Sequence, residues 1–239
     1  MFEIIKNAYA NGLITSLVSR MEGSVGAAVL IAGTFLAALI GYLLGSLNFA
    51  LILSGKMYKD DIRNHGSKNA GTTNMMRTYG NKAAGLTILG DMLKAVVAVV
   101  IGSFLVGVMH GGYAAALGCV LGHVFPAFYG FKGGKGVATA AAAILVLNPI
   151  AFVCVIAVFL ICVVCTRFVS LGSVLAAAVF PLITFYTYFG GKGIAPGSGF
   201  AFLCAFAMAA VVVIKHHANL SRLAHGTESK FKFNKSKKD

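Results

Sequence analysis

GVATAAAAILVLNPIAFVCVIAVFLICVVCT, residues 136–166, runs without a charged side chain. A transmembrane helix needs about 20 apolar residues to cross a hydrocarbon core of about 30 Å. Read as one helix, residues 137–165 would extend about 44 Å at 1.5 Å per residue, too long for a simple crossing. Asn148-Pro149 interrupts the run, and that pair favours a turn. The stretch therefore reads as a hairpin of two short helices. That reading sets the number of crossings for the whole chain.

The composition agrees with a membrane setting. Of 239 residues, 58% are hydrophobic and 11% charged, against about 25% charged in a soluble domain. No polar block of soluble-domain size occurs, so residues 25–239 read as one polytopic domain. Residues 1–24 lack a basic start followed by a clean apolar core, and are not read as a signal peptide. Phe2, Ile5, Tyr9, Leu13 and Leu17 recur at helical spacing, so this extension fits an interfacial helix better than a crossing. All five cysteines lie in apolar runs. Cys162-x-x-Cys165 has redox spacing, but in a greasy segment it reads as a pair of core thiols.

Further uncharged runs cover 23–55, 95–131, 168–191 and 193–214. His110-Gly111-Gly112 divides 95–131 and reads as a turn between two crossings. Seven transmembrane helices result, in an all-α bundle. With seven, residues 54–82, 127–136, 166–168 and the tail after Ile214 share one side and hold 16 of the 20 lysines and arginines. The other side receives Lys6, Arg20 and Lys192, and Lys94 lies inside a helix. The positive-inside rule puts the rich side and the C-terminus in the cytoplasm and the N-terminus outside. Six crossings would export the basic tail. The net charge of +13 sits in loops beside apolar spans, which fits anionic headgroups and phosphorylated substrates better than nucleic acid.

Three polar segments thus meet on one face: 54–82, 127–139 and 215–230. In the first, Ser67, Asn69, Thr72, Thr73 and Asn74 are spaced by Gly66 and Gly71 and flanked by Arg63 and Arg77. Small polar groups with free amides can wrap a phosphate, and arginine can grip it bidentately. The second contains FKGGKGVAT, residues 131–139. It is not a Walker loop, because Tyr129 and Gly136 stand where that pattern needs Gly and Ser or Thr. Gly133, Gly134 and Gly136 would still let backbone amides approach an anion. Lys132 and Lys135 supply counter-charge, and Gly136 through Thr139 opens a helix whose N-terminus favours negative charge. In the third, His216 and Asn219 share a helical face continued by Arg222, while His217 diverges by about 100°. Adjacent diverging histidines without an H-E-x-x-H pattern argue against a metal site. Glu228 either orients a lysine or arginine of the site or pairs with Lys230. Within the apolar spans, Asp91 and Lys94 form an i,i+3 pair that reads either as a structural pair near the interface or as a brace for the first loop from below.

Together these segments resemble the bacterial acyl-phosphate-dependent glycerol-3-phosphate acyltransferase (PlsY) family from about residue 28 to 231. GSLNFALILSGKMYKDDIRNHGSKNAGTTNMMRTYG (45–80), GHVFPAFYGFKGGKGVAT (122–139) and HHANLSRLAHGTESK (216–230) are similar to its three motifs in order. TRFVSLGS (166–173) is similar to its additional short loop. The chain departs at Asn48, where proline is usual, at Lys68 and Thr72, where glycine and alanine are usual, and at His217, where arginine is common.

The resemblance implies acyl transfer from acyl-phosphate to the 1-hydroxyl of sn-glycerol 3-phosphate, giving lysophosphatidic acid and phosphate at the bacterial inner membrane. No cofactor or metal is implied. The expected catalytic residues are His216, Asn219 and Lys135. The expected substrate-binding residues are Ser46, Arg63, Ser67, Asn69, Thr73, Asn74, Arg77, Lys132, Gly133, Gly134, Gly136, Thr139, Ser170, Arg222 and Glu228. No H-x-x-x-x-D pattern is present, which disfavours a coenzyme A donor of the familiar kind. No G-x-S-x-G elbow is present, in keeping with direct transfer without an acyl-enzyme. For the hydroxyl proton, His216 with Asn219 and the phosphate of glycerol phosphate itself are rival acceptors. A transporter for an organic phosphate is the alternative class, disfavoured by one-sided polar detail and the lack of a repeat.

Overall fold

The computed structural model describes residues 2–19, 21, 23–190 and 196–231, with side chains from residue 7 onward. Arg20, Lys192 and the lysines after Phe231, which enter the charge asymmetry, lie outside the described residues, as does the side chain of Lys6. All regular structure among the described residues is helical. Among the described residues, six helical spans are long and apolar enough to cross a membrane: Gly23–Tyr58, Asn81–Val106, Val108–Tyr129, Pro149–Thr166, Val169–Phe189 and Ser198–Lys215.

Two short helices, α1 (Phe2–Asn11) and α2 (Leu13–Val18), precede α3 (Gly23–Gly45) and α4 (Phe49–Tyr58). A break at Ser46–Asn48 separates α3 from α4. Asn48, standing where proline is usual, caps α4 by accepting the Leu51 amide at 3.2 Å, and its own amide reaches the Ala70 carbonyl at 3.3 Å. The capped break turns the end of the first span toward the first polar loop.

That loop ends in α5 (Thr72–Tyr79), and α6 (Asn81–Val106) runs to the far end of the bundle. The chain turns there at Gly107 (φ 82), not at His110-Gly111-Gly112. Residues Val108–Gly112 form a π-helical turn leading straight into α7 (Tyr113–Val124). Gly111 serves packing instead of turning: a Cβ there would lie 1.9 Å from the Gly102 carbonyl oxygen. Glycines also bring α3 and α7 together. Added Cβ atoms at Gly41 and Gly45 would meet the carbonyls of Ala115 and Cys119 at 2.2 and 2.1 Å. Gly118 and Gly122 return the fit against Ala38 and Tyr42, the small-xxx-small packing of membrane helices.

The 136–166 stretch is broken as its sequence predicts. α8 (Val137–Leu147) ends at Asn148, whose side chain caps α9 (Pro149–Thr166) by accepting the Ala151 amide at 3.0 Å. Proline takes the first helical position, where its missing N–H costs nothing. At 11 residues, α8 is too short for the length expected of a crossing, yet it carries the chain from the glycine loop to Leu147 beside Gly112, where α7 begins. The helices α10 (Val169–Phe189), α11 (Ser198–Lys215) and α12 (His217–Ala224) complete the chain. The main core packs side chains of α6, α7, α8, α9, α10 and α11, including Val99, Tyr113, Ile144, Phe180 and Met208. Beyond the expected single interfacial helix, α1 and α2 dock on the far end of α6: Tyr9 meets Phe104 edge-on at 5.5 Å, and Thr15 Oγ1 donates to the Val106 carbonyl at 3.0 Å.

Candidate active site

At the end of the bundle opposite Gly107, the three polar segments close around a cleft of about 770 Å³. Its walls carry Arg63 and Lys68 from the first segment, Lys132 and Lys135 from the second, and Lys215 and Arg222 from the third. Among the described residues, Asp61 is the sole acid in its lining and is held by Arg63. The net field favours anions.

Lys135 is half-buried, and its Nζ donates to Asn219 Oδ1. The Asn219 amide donates in turn to Glu228 Oε1 at 2.7 Å, an oxygen that also accepts from Ser170 Oγ at 2.8 Å. Arg222 Nε donates to Glu228 Oε2 at 2.7 Å. Glu228 thus joins the start of α10, helix α12 and, through Asn219, the lysine before α8. Of its two expected partners it takes the site arginine, while Lys230 lies over the Phe168 ring. Burial lowers the Lys135 ammonium to about 8, with Glu228 opposing that loss. Burial alone would raise Glu228; the hydrogen bonds from Asn219, Ser170 and Arg222 outweigh it and hold the carboxyl below its usual range.

His216 is buried at the junction of α11 and α12 and does not line the cleft, whereas His217, set aside from the sequence, does. The His216 Nδ1 lies 2.7 Å from the Val212 carbonyl, so that nitrogen carries the proton and Nε2 keeps its lone pair. Burial lowers its pKa to about 4, so it is neutral near pH 7.

Several expected phosphate ligands have other work. Arg63 grips both Asp61 oxygens through Nε at 3.0 Å, and its NH1 donates to the Tyr129 and Lys132 carbonyls at 2.9 and 3.1 Å. It ties the first loop to the second. Asn74 is buried: its Oδ1 accepts the Ser67 amide, and its Nδ2 donates to the carbonyls of Ile62 and His65. It shapes the loop from within. Ser46 is buried, donates to the Tyr42 carbonyl and accepts the Ala127 amide. Ser67, Asn69, Lys132 and Gly133 do line the cleft; Thr73 and Arg77 are exposed outside its lining. Thr139 is fully buried, and its hydroxyl has no hydrogen-bond partner among the described residues.

The glycine loop departs most from expectation. The amides of Gly133 and Gly134 already donate to the carbonyls of Val124 and His123 at 3.2 and 3.1 Å, so they are not available to an anion. Their value is close approach. A Cβ on Gly134 would lie 2.2 Å from His123 Nε2 and 2.6 Å from the Ala70 carbonyl, and one on Gly133 would lie 2.1 Å from the His123 carbonyl. Gly136 (φ 80) supplies the left-handed turn into α8. The loop is thereby pressed onto His123, which sequence reasoning did not single out. Its Nδ1 lies 3.1 Å from Lys94 Nζ, which also binds Asp91 at 2.8 Å and the carbonyls of Gly45 and Leu47 at 2.9 Å. The Asp91–Lys94 pair does brace the loops from below, by holding the α3–α4 break. No three His, Cys, Asp or Glu side chains gather as a metal site among the described residues.

A polytopic helical membrane protein with a cationic cleft built from three loops at one end defines the class. The model of the glycerol-3-phosphate acyltransferase family matches residues 35–226, and the chain belongs to that family. The glycerol-3-phosphate acyltransferase of Trichlorobacter lovleyi is 47% identical over 191 residues, covering 80% of this chain and 94% of the relative. That of Clostridioides difficile is 41% identical over 198 residues, covering 81% and 93%. The crystal structure of PlsY, an integral membrane glycerol 3-phosphate acyltransferase, in its glycerol 3-phosphate form superposes with a TM-score of 0.73 at 32% identity, covering 83% of this chain and 96% of that one. The chain is a multi-pass membrane protein with the glycerol-3-phosphate acyltransferase assignment of its family.

Proposed function

We propose that the cleft transfers an acyl group from acyl-phosphate directly to the 1-hydroxyl of glycerol 3-phosphate, releasing phosphate. The observation that carries this reading is the surplus of cations in the cleft, with the only lining acid among the described residues, Asp61, held by Arg63. Two phosphorylated substrates need a site that holds two anions side by side, and such juxtaposition supplies much of the rate. A mixed anhydride already has a good leaving group, so no protein nucleophile is required. Lys135, held by Asn219, stabilises charge on the carbonyl oxygen or the departing phosphate. Asn219 and Glu228 keep its ammonium in place, and Ser170 and Arg222 fix Glu228.

The hydroxyl proton goes to the phosphate of glycerol 3-phosphate, and His216 acts as a positioning residue at the α11–α12 junction. Its burial, its absence from the cleft lining and its low basicity all favour this over a general base, which works best with a pKa near the operating pH. The cleft faces the cytoplasm of the bacterial inner membrane, with seven crossings, the N-terminus outside and α8 as the short one. The lysine and arginine asymmetry supports this orientation, and the path of α8 between the two ends of α7 supports the count.

Purified protein given palmitoyl phosphate and glycerol 3-phosphate should release phosphate and form lysophosphatidic acid, and palmitoyl coenzyme A should not replace the donor. Turnover with the coenzyme A donor alone would refute the donor assignment.

A further inference from the structure

Lys68 occupies a backbone position that lysine seldom takes. The first loop turns through Gly66 at φ 52 and again through Lys68 at φ 57. Left-handed geometry suits glycine, the usual residue here in the family, and costs a side chain steric strain. Packing does not repay that cost, because Lys68 is exposed and its ammonium makes no hydrogen bond or ion pair with another described residue. The side chain instead lines the cleft, between Ser67 and Asn69 in sequence and with Lys132 also on the wall.

The charge it adds is distinctive within this loop. Arg63, its other cation in the cleft, is paired with Asp61 and gives both NH1 hydrogens to the Tyr129 and Lys132 carbonyls. Without Lys68 the first segment would bring no unpaired charge to the cleft. We propose that Lys68 is a substrate-binding residue that holds a phosphate dianion in the cleft, and that the strain of a lysine at this left-handed position is offset by that contact. This rests on the reading of the cleft as the acyl-transfer site. The phosphate belongs to glycerol 3-phosphate or to the acyl donor, and separate titrations distinguish them.

The decisive variant is Lys68→Gly, which removes the charge while relieving the backbone, with Lys68→Arg as the charge-preserving control. KM is measured for each substrate in turn, together with the unfolding temperature of the full-length protein with and without glycerol 3-phosphate or inorganic phosphate. Lys68→Gly should raise KM for one phosphate substrate about three- to tenfold and leave kcat within about twofold, the signature of lost uniform binding. Its ligand-free unfolding temperature should stay level or rise, and its phosphate-induced stabilisation should shrink. Lys68→Arg should restore both. A rise confined to the glycerol 3-phosphate titration assigns that substrate; one confined to the acyl donor assigns the other. Unchanged KM values, or a fall in unfolding temperature and kcat together, would overturn the proposal. If the wild-type protein turns over neither donor, the functional reading fails, while the phosphate-induced stabilisation still decides Lys68.

Discussion

Two lysine-centred clusters lie close together in this protein and behave as opposites. Lys94 is 5% exposed and has carboxylate, imidazole and two carbonyls around it. Lys135 is only half-buried, and Asn219 stands between it and the Glu228 carboxylate, so its charge is steered but not cancelled. The first arrangement is closed and balanced, and it fixes the Ser46–Asn48 break and the His123 ring against which the glycine loop lies. The second leaves a cation facing a cleft rich in other cations. A satisfied charge builds; an unsatisfied one waits for an anion.

The contrast is broken most severely at Lys94. Lys94→Met strands the Asp91 carboxylate in the bundle and should cost about 3–5 kcal/mol of stability, as removal of one partner of a buried pair does. Thermal unfolding in detergent would measure it, and an Asp91→Leu/Lys94→Met double variant should recover a large part of the loss. Lys135→Met should instead leave the unfolding temperature near wild type and lower kcat/KM for glycerol 3-phosphate about 100- to 1000-fold, the range seen when a pre-organised charge stabiliser is removed. Because burial holds its ammonium near 8, wild-type kcat/KM should fall as pH rises through about 8. Lys135→Arg should move that limb upward in a pH–rate profile.

A smaller effect is expected at Glu228. Glu228→Gln keeps the size of the side chain but frees the Arg222 charge and loosens Asn219, so kcat/KM should drop about 10-fold, consistent with loss of a charged hydrogen bond of about 1.5 kcal/mol. The smallest change in turnover is expected at His216. His216→Gln should keep kcat within about threefold; a loss beyond about 100-fold would restore the general-base role. The same variant sharpens a pH comparison. Folded His216 is held near 4 against 6.5 for the free side chain, so the unfolded chain binds the extra proton between those values. Its contribution is complete above about 6.5 and is lost as pH falls toward 4. Glu228, depressed by its partners, adds a further loss below its ordinary value of 4.5. His216→Gln should flatten the first decline in stability and leave the second.

Local chemistry made parts of this molecule legible from residues alone. Asn148-Pro149 ends one helix and starts the next because its cap and its ring act within a few residues. Gly136 marks the entry to α8 for the same reason. The far turn was misplaced because His110-Gly111-Gly112 looks like a turn and Gly107 does not; the difference is that Gly111 packs against Gly102 on the facing end of α6, a backbone contact that residue type does not report. Arg63 and Asn74 looked like phosphate ligands because their side chains are the right type. Most of their hydrogen-bonding capacity is taken by backbone carbonyls, a backbone amide and a carboxylate brought near by the fold.

The sequence by itself determined the membrane class, the Asn148-Pro149 break, the three polar segments and the family, because apolar run length, Asn-Pro geometry and motif order are local properties of the chain. Only the tertiary structure decided which polar groups remain available. It closed the Gly133 and Gly134 amides against His123 and Val124, buried His216, and joined Lys135 to Glu228 through Asn219. Hydrogen-bond capacity is written in the residue type, but whether it has already been spent depends on partners dozens of residues away.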